Sequence, residues 1–218
     1  MLADFESVAA RALELACRPG RALLGICGAP GSGKTTLAVA LVDHVGRHQG
    51  PDAVAHVPMD GFHLADVELR RLSRLDRKGA PDTFDAAGYA ALLQRLRADP
   101  PEQTVYAPQF EREFEQPIAG AIPVGPQVRL VISEGNYLLA QDGLWGAVAG
   151  RFDEIWYLDS SPELRVPRLV QRHVSFGKSL QRATDWVRDV DEHNARFVAD
   201  TRGRATAVLS GALVLPER

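Results

Sequence analysis

Eight consecutive residues, Gly28-Ala29-Pro30-Gly31-Ser32-Gly33-Lys34-Thr35, fit the spacing Gly-x-x-x-x-Gly-Lys-[Ser/Thr] in full. Glycines in such a run admit positive φ, so successive amide groups can turn inward on phosphate oxygens, and a helix that begins at the lysine adds partial positive charge. Lys34 would reach the β- and γ-phosphates of a nucleotide, with Thr36 among the nucleotide contacts, while the Thr35 hydroxyl would meet the Mg²⁺ that the nucleotide carries. The bland alternative is a glycine-rich turn that binds nothing.

Phosphate binding leaves kinases, GTPases and motor-type ATPases open, and the other charged residues must separate them. No Asn-Lys-x-Asp string for guanine occurs, and the Asp-x-x-Gly match from Asp85 to Gly88 follows a proline turn instead of a strand. Asp60 ends an apolar run, where its carboxylate could take a proton from an acceptor hydroxyl and aim the oxygen in line; a capped turn is the alternative. Glu134 ends a strongly apolar run, where an unpaired carboxylate costs several kcal/mol, so it needs a metal, a water or a cation as partner.

Arg165, Arg168 and Arg172 recur at helical spacing with Lys178 close behind, a face that could close over a transferred phosphoryl group or could simply be solvated. Pro167 interrupts that face at a cost of ~3 kcal/mol inside a helix, which leaves Arg168 and Arg172 as the stronger candidates. His63, three residues past Asp60, could touch an acceptor or only cap a turn. The histidines show no transition-metal spacing with cysteines or carboxylates.

The surrounding elements have the order this chemistry requires. A helix is expected from Ala3 to Ala16, a buried strand over Ala22–Cys27, and after the loop a helix from Lys34 to Val45 with Leu37, Leu41 and Val45 on one face. Strands are expected over Val54–Met59, Val128–Ile132, Phe152–Leu158 and Ala205–Leu209, and helices over Ala65–Leu75, Asp85–Asp99 and Leu180–Ala199. Strands that alternate with helices argue for a parallel sheet with ligands at its carboxyl edge, where Gly28, Asp60, Glu134 and Asp159 all fall. The proline-marked stretch 108–126 reads as an ordered functional loop or irregular hairpin.

With 218 residues, 45% of them apolar and 24% charged, the chain is expected to form one domain over residues 1–218. A net charge of −3 gives no general pull toward nucleic acid or anionic membrane, so neither is an expected partner. Cys17 and Cys27 are expected to be free, buried thiols, the N-terminus lacks a signal-peptide pattern, and the cytoplasm is the expected compartment.

In their order along the chain, Gly28–Thr35, Asp60-Gly61-Phe62, Pro81-Asp82-Thr83-Phe84-Asp85, Glu134-Gly135 and Thr201-Arg202-Gly203-Arg204-Ala205 resemble the motifs of the phosphate-loop kinases that include uridine kinase, phosphoribulokinase and bacterial pantothenate kinase. Residues 58–63, Tyr106–Arg112 and Arg172-His173-Val174 are most similar to bacterial nucleoside/nucleotide kinase family proteins described as fructose-transport-system kinases. The resemblance implies an α/β, three-layer α/β/α P-loop NTPase fold with a mainly parallel five-stranded sheet and a helical lid. It also implies use of ATP and Mg²⁺, with Asp60 as base, Glu134 as the acid near the metal, and Arg202 or Arg204 beside the adenine.

Two departures bear on the acceptor. Uridine kinases carry an acidic ribose-binding residue where this chain has Gly79, and Glu111, Arg112, Glu113 and Glu115 replace the group's histidine-bearing segment. His63, Asp82, Tyr106, Phe110 and Arg112 are the expected acceptor contacts. The expected reaction is transfer of the γ-phosphoryl group to a hydroxyl of a sugar or sugar derivative. A nucleoside or pantothenate-like acceptor, or a regulatory ATPase with no acceptor, are the alternatives, and homodimerisation stays open.

Overall fold

Leu24 and Ile26 project to one face of strand β1 (Ala22–Cys27), Leu23 and Cys27 to the other, and all six residues of the strand are buried. A strand covered on both faces belongs at the centre of a parallel sheet. The computed structural model describes residues 4–98 and 102–214, and in it β1 lies between β5 (Leu130–Gly135) and β6 (Glu154–Asp159). With β2 (Val54–His56) and β7 (Ala207–Ser210) at the edges, the five strands run in the order β2-β5-β1-β6-β7, every pairing parallel.

The alternation of side chains sorts the core into two clusters. On one face Leu24, Ile26, Leu130, Ile132, Trp156 and Leu158 pack against helices α1 (Phe5–Ala16) and α2 (Lys34–Gln49). On the other, Leu23, Val131, Ile155 and Tyr157 meet Tyr89 and Leu93 of α4 (Ala86–Arg97), together with Tyr137, Trp145 and Val198. The result is the expected three-layer α/β/α sandwich.

Several elements differ from expectation for identifiable reasons. Helix α1 begins at Phe5 because Asp4 caps it, accepting from Ser7 N at 2.8 Å, and the expected start at Ala3 lies outside the described residues. Strand β2 stops at His56; Pro58 supplies no N–H, and Met59–Phe62 coils into a 3₁₀ turn. Helix α3 covers only Asp66–Arg71, since Ser73 turns left-handed at φ 55°. The expected end of α4 at Asp99 again falls outside the described residues.

Strand β5 is displaced toward Gly135, so Glu134 lies within it beside Ile26 of β1. Residues 108–126, expected as a loop or irregular hairpin, contribute to an antiparallel hairpin of β3 (Val105–Glu111) and β4 (Gln116–Val124). Helix α5 (Pro162–Ser175) continues through Pro167, and the long C-terminal helix is α6 (Leu180–Trp186) and α7 (Glu192–Ala199) joined by a π turn over Val187–Asp191. Cys27 is buried as expected, whereas Cys17 is exposed because it caps the solvent end of α1. Among the described residues no helix is long and apolar enough to cross a membrane.

Candidate active site

The carboxyl ends of β1, β5 and β6 deliver Gly28, Glu134 and Asp159 to one edge of the sheet. Residues 28–33 turn there between β1 and α2, with φ at +76° for Gly31 and +96° for Gly33. Gly31 is further constrained by packing: a Cβ there would lie 2.7 Å from Leu169 Cγ and 2.8 Å from the Arg165 carbonyl oxygen. The loop is therefore pressed beneath α5, and only glycine fits.

Lys34 is buried, and its Nζ donates to the Ala29 carbonyl at 3.0 Å. Thr35 Oγ1 donates to Glu134 Oε1 at 2.9 Å. Ser32 Oγ is buried with no hydrogen-bond partner among the described residues. An unsatisfied hydroxyl, a buried ammonium, inward-turned glycines and a hydroxyl–carboxylate pair fit a phosphate chain with an accompanying Mg²⁺, whose ligands are oxygens.

Asp60 is held on the 3₁₀ turn Met59–Phe62, and the turn is locked by the hairpin. A methyl group at Gly61 would overlap the Pro108 carbonyl of β3, so the glycine lets the two backbones touch. Arg112, one residue beyond β3, donates to Asp60 Oδ2 at 3.1 Å, and His63 Nδ1 donates to the Asp60 carbonyl at 2.8 Å.

Burial opposes ionisation of Asp60, but the positive charges around it, from His63 when protonated and from Arg112, Lys34 and Arg172, outweigh burial and hold the carboxyl below its usual range. Glu134 responds the opposite way. Burial, reinforced by the negative charge of Asp60, raises its proton affinity. Burial also lowers the Lys34 and His63 pKa values, disfavouring their charged forms. The two carboxyl groups in one basin are thus pushed apart, Asp60 downward and Glu134 upward.

These groups line a single cavity of about 330 Å³. Pro30, Gly31, Lys34, Thr35 and Glu134 form its donor end, and Asp60, His63, Phe110, Arg112 and Arg172 lie beyond. The other predicted residues are placed elsewhere. Arg168 borders a second cavity of about 260 Å³ with Ser32, Gly33, Thr36 and Leu213. Asp82 is turned toward Arg77 at 2.8 Å and Arg74 at 3.3 Å and does not line the main cavity; neither does Tyr106, which is 60% exposed. Arg202 pairs with Asp159 at 3.0 Å, while Arg204 donates to the Leu139 carbonyl and lines a pocket with no loop residue. Arg165 is buried against Glu192, at 2.5 and 2.9 Å, and clamps α5 to α7.

The cavity also contains residues that the sequence reading did not assign. Asp66 and Lys78 form an ion pair at 2.6 Å on one wall. On the other, the π turn presents Asp191, which accepts from His173 Nε2 at 2.8 Å, and α7 presents Asn194, which donates to the Gly79 carbonyl at 3.3 Å. Lys178 lies over the Trp186 ring at 5.1 Å and reaches His173 Nδ1 at 3.4 Å. Of these, Lys178 and His173 stand in the sequence only as neighbours of the arginine face, and no local pattern announces Asp66, Lys78, Asp191 or Asn194.

No family model matches the chain. A "putative uridine kinase" of Schizosaccharomyces pombe is 33% identical over 180 residues, covering 81% of this chain and 76% of that protein. The crystal structure of a "putative fructose transport system kinase" from Silicibacter sp. TM1040 is 35% identical and superposes with a TM-score of 0.83 over 94% of this chain and 98% of that one. YFH7 of Saccharomyces cerevisiae, a P-loop protein with a circular permutation, shares the fold at a TM-score of 0.79 over 99% of this chain and all of the other, with 16% identity. The chain belongs to the phosphate-loop kinases of the uridine kinase, phosphoribulokinase and pantothenate kinase group. It is accordingly an ATP-dependent phosphotransferase with a hydroxyl group as acceptor.

Proposed function

We propose that the protein transfers the γ-phosphoryl group of MgATP to a hydroxyl of a sugar or sugar derivative, with Asp60 as the group that positions and deprotonates that hydroxyl. The observation that carries this reading is the placement of an ionised Asp60 in one cavity with Lys34 and Arg172, next to the glycine loop. The acceptor proton passes to the Asp60 carboxylate as the acceptor oxygen bonds to the γ-phosphorus. The bond from that phosphorus to the bridging oxygen breaks, and ADP leaves with the electron pair.

Lys34 and the loop amides hold the phosphates, and Arg172 offsets charge on the transferred group. Thr35 and Glu134 are the residues to hold Mg²⁺, which supplies charge neutralisation at the phosphates. The second cavity, with Thr36 and Arg168, adjoins the loop and offers a place for the base. A sugar suits the main cavity, because Asp66, Asp191 and Asn194 can bond hydroxyls while Trp186 and Phe84 offer flat apolar faces.

ADP release measured with MgATP across sugars, sugar acids, sugar phosphates, nucleosides and pantothenate tests this. A sugar-class acceptor should stimulate turnover, and Asp60→Asn should lower kcat by about 10²- to 10⁴-fold with ATP affinity retained. Steady hydrolysis that ignores every acceptor and survives Asp60→Asn would establish a regulatory ATPase instead.

A further inference from the structure

Two cations share one aromatic ring on the hairpin side of the cavity. Lys78 Nζ stands 5.3 Å from the Phe110 ring centroid and Arg112 Cζ stands 5.7 Å from it. Both currently satisfy carboxylates of the chain itself, Lys78 that of Asp66 and Arg112 that of Asp60. The two ties are unequal. Lys78 is nearly buried and also donates to the Glu115 carbonyl, whereas Arg112 is 38% exposed in its side chain and gives Asp60 a single hydrogen bond.

A guanidinium has five N–H donors in a planar fork that suits carboxylate or phosphate, so one bond to one oxygen leaves most of that capacity directed at the cavity. The turn that carries Arg112 is fixed in place by Lys78 on Glu115 and by Gln116 Oε1, which accepts from Asp66 N at 3.1 Å. The side chain can therefore swing while its backbone stays.

The Arg112 bond occupies Asp60 Oδ2, one of the two carboxylate oxygens that an incoming hydroxyl could use. Drawing Arg112 away removes the one side-chain hydrogen bond that Asp60 makes among the described residues, though Lys34 and Arg172 line the same cavity, and a neutral polyol offers Arg112 no charge in exchange. An anion does, because its bond to a guanidinium is roughly twice as strong as a neutral hydrogen bond. Resting on the kinase reading, we propose that the acceptor is a hydroxylated metabolite with an anionic group, a carboxylate or a phosphate monoester. That group takes Arg112 from Asp60 and is held between Arg112 and Lys78. The exchange couples arrival of the correct acceptor to release of the base.

The test uses the full chain with MgATP and matched acceptors: glycerol, glycerate and glycerol 3-phosphate, then glucose, gluconate and glucose 6-phosphate. The charged member of a series should exceed its neutral counterpart in kcat/KM by at least about tenfold, and whether carboxylate or phosphate does so identifies the anion. Arg112→Gln should collapse that preference about tenfold or more, chiefly through the acceptor KM, with Arg112→Lys recovering part of it and Lys78→Gln acting in the same direction.

Preference for the neutral acceptors, or an Arg112→Gln effect equal for charged and neutral ones, would overturn the inference while leaving the kinase intact. A rise in the ATP KM with the acceptor KM unchanged would assign Arg112 to the γ-phosphate instead. Absence of stimulated ADP release with every acceptor, neutral and charged, would remove the kinase reading and this inference together.

Discussion

At the donor end of the cavity, eight contiguous residues and the start of one helix provide the cradle, much of it through backbone amides. At the acceptor end, the side chains come from the 3₁₀ turn after β2, the Lys78 turn, the hairpin, α5 and the π turn before α7. The first is an arrangement of backbone conformation, specified by where glycine is required. The second is an arrangement of side chains on separate elements, specified by how those elements pack. A family built this way can share its donor and differ in its acceptors.

Glycine substitutions at the two ends should separate these modes of construction most sharply. Gly31→Ala combines a φ of +76° with contacts of 2.7 and 2.8 Å to α5, so it should weaken ATP binding by about 10²-fold or more, measured with a fluorescent nucleotide analogue. Unchanged ATP affinity would mean that the loop is not a rigid cradle.

Gly61→Ala should act on the other end alone. The added methyl must push the hairpin away from the turn that carries Asp60, and misplacement of that order lowers kcat/KM for the acceptor by about 10- to 100-fold. The ATP dissociation constant should stay within about twofold, so loss of both together would show that the ends are not independent.

The smallest effects are expected just outside the cavity. Asp82 is partly exposed and paired with Arg77 and Arg74, and Tyr106 lies on the outer face of the hairpin, so Asp82→Asn and Tyr106→Ala should each change kcat/KM by less than about threefold. A larger loss at Asp82 in the same kinetic assay would extend the acceptor site to the Arg74–Arg77 turn.

The donor end was legible because its chemistry depends on local conformation. Gly28–Thr35 states its own geometry, and the apolar run before Glu134 put that carboxylate at the carboxyl edge of the sheet, where the structure pairs it with Ile26 of β1. The paired roles of Asp60 and Arg112 were less accessible. Each could be nominated from its neighbours in sequence, but their contact spans 52 residues and depends on Gly61 meeting Pro108. Asp191 was missed for a related reason. A helical repeat extended through Leu180–Ala199 places no break at Val187, whereas the π turn there re-aims the residues that follow toward the cavity.

By itself, then, the sequence determined the strand order's ingredients, the phosphate cradle and the carboxylates at the ends of apolar runs, because glycine conformation, burial and periodicity act over a few neighbouring residues. Only the tertiary structure decided which cation meets Asp60, that Arg165 clamps two helices instead of facing the cavity, and that Lys78 and Arg112 flank one phenylalanine ring. Those pairings join residues distant along the chain, and their geometry is set by how the hairpin and the α5–α7 helices pack against the edge of the sheet.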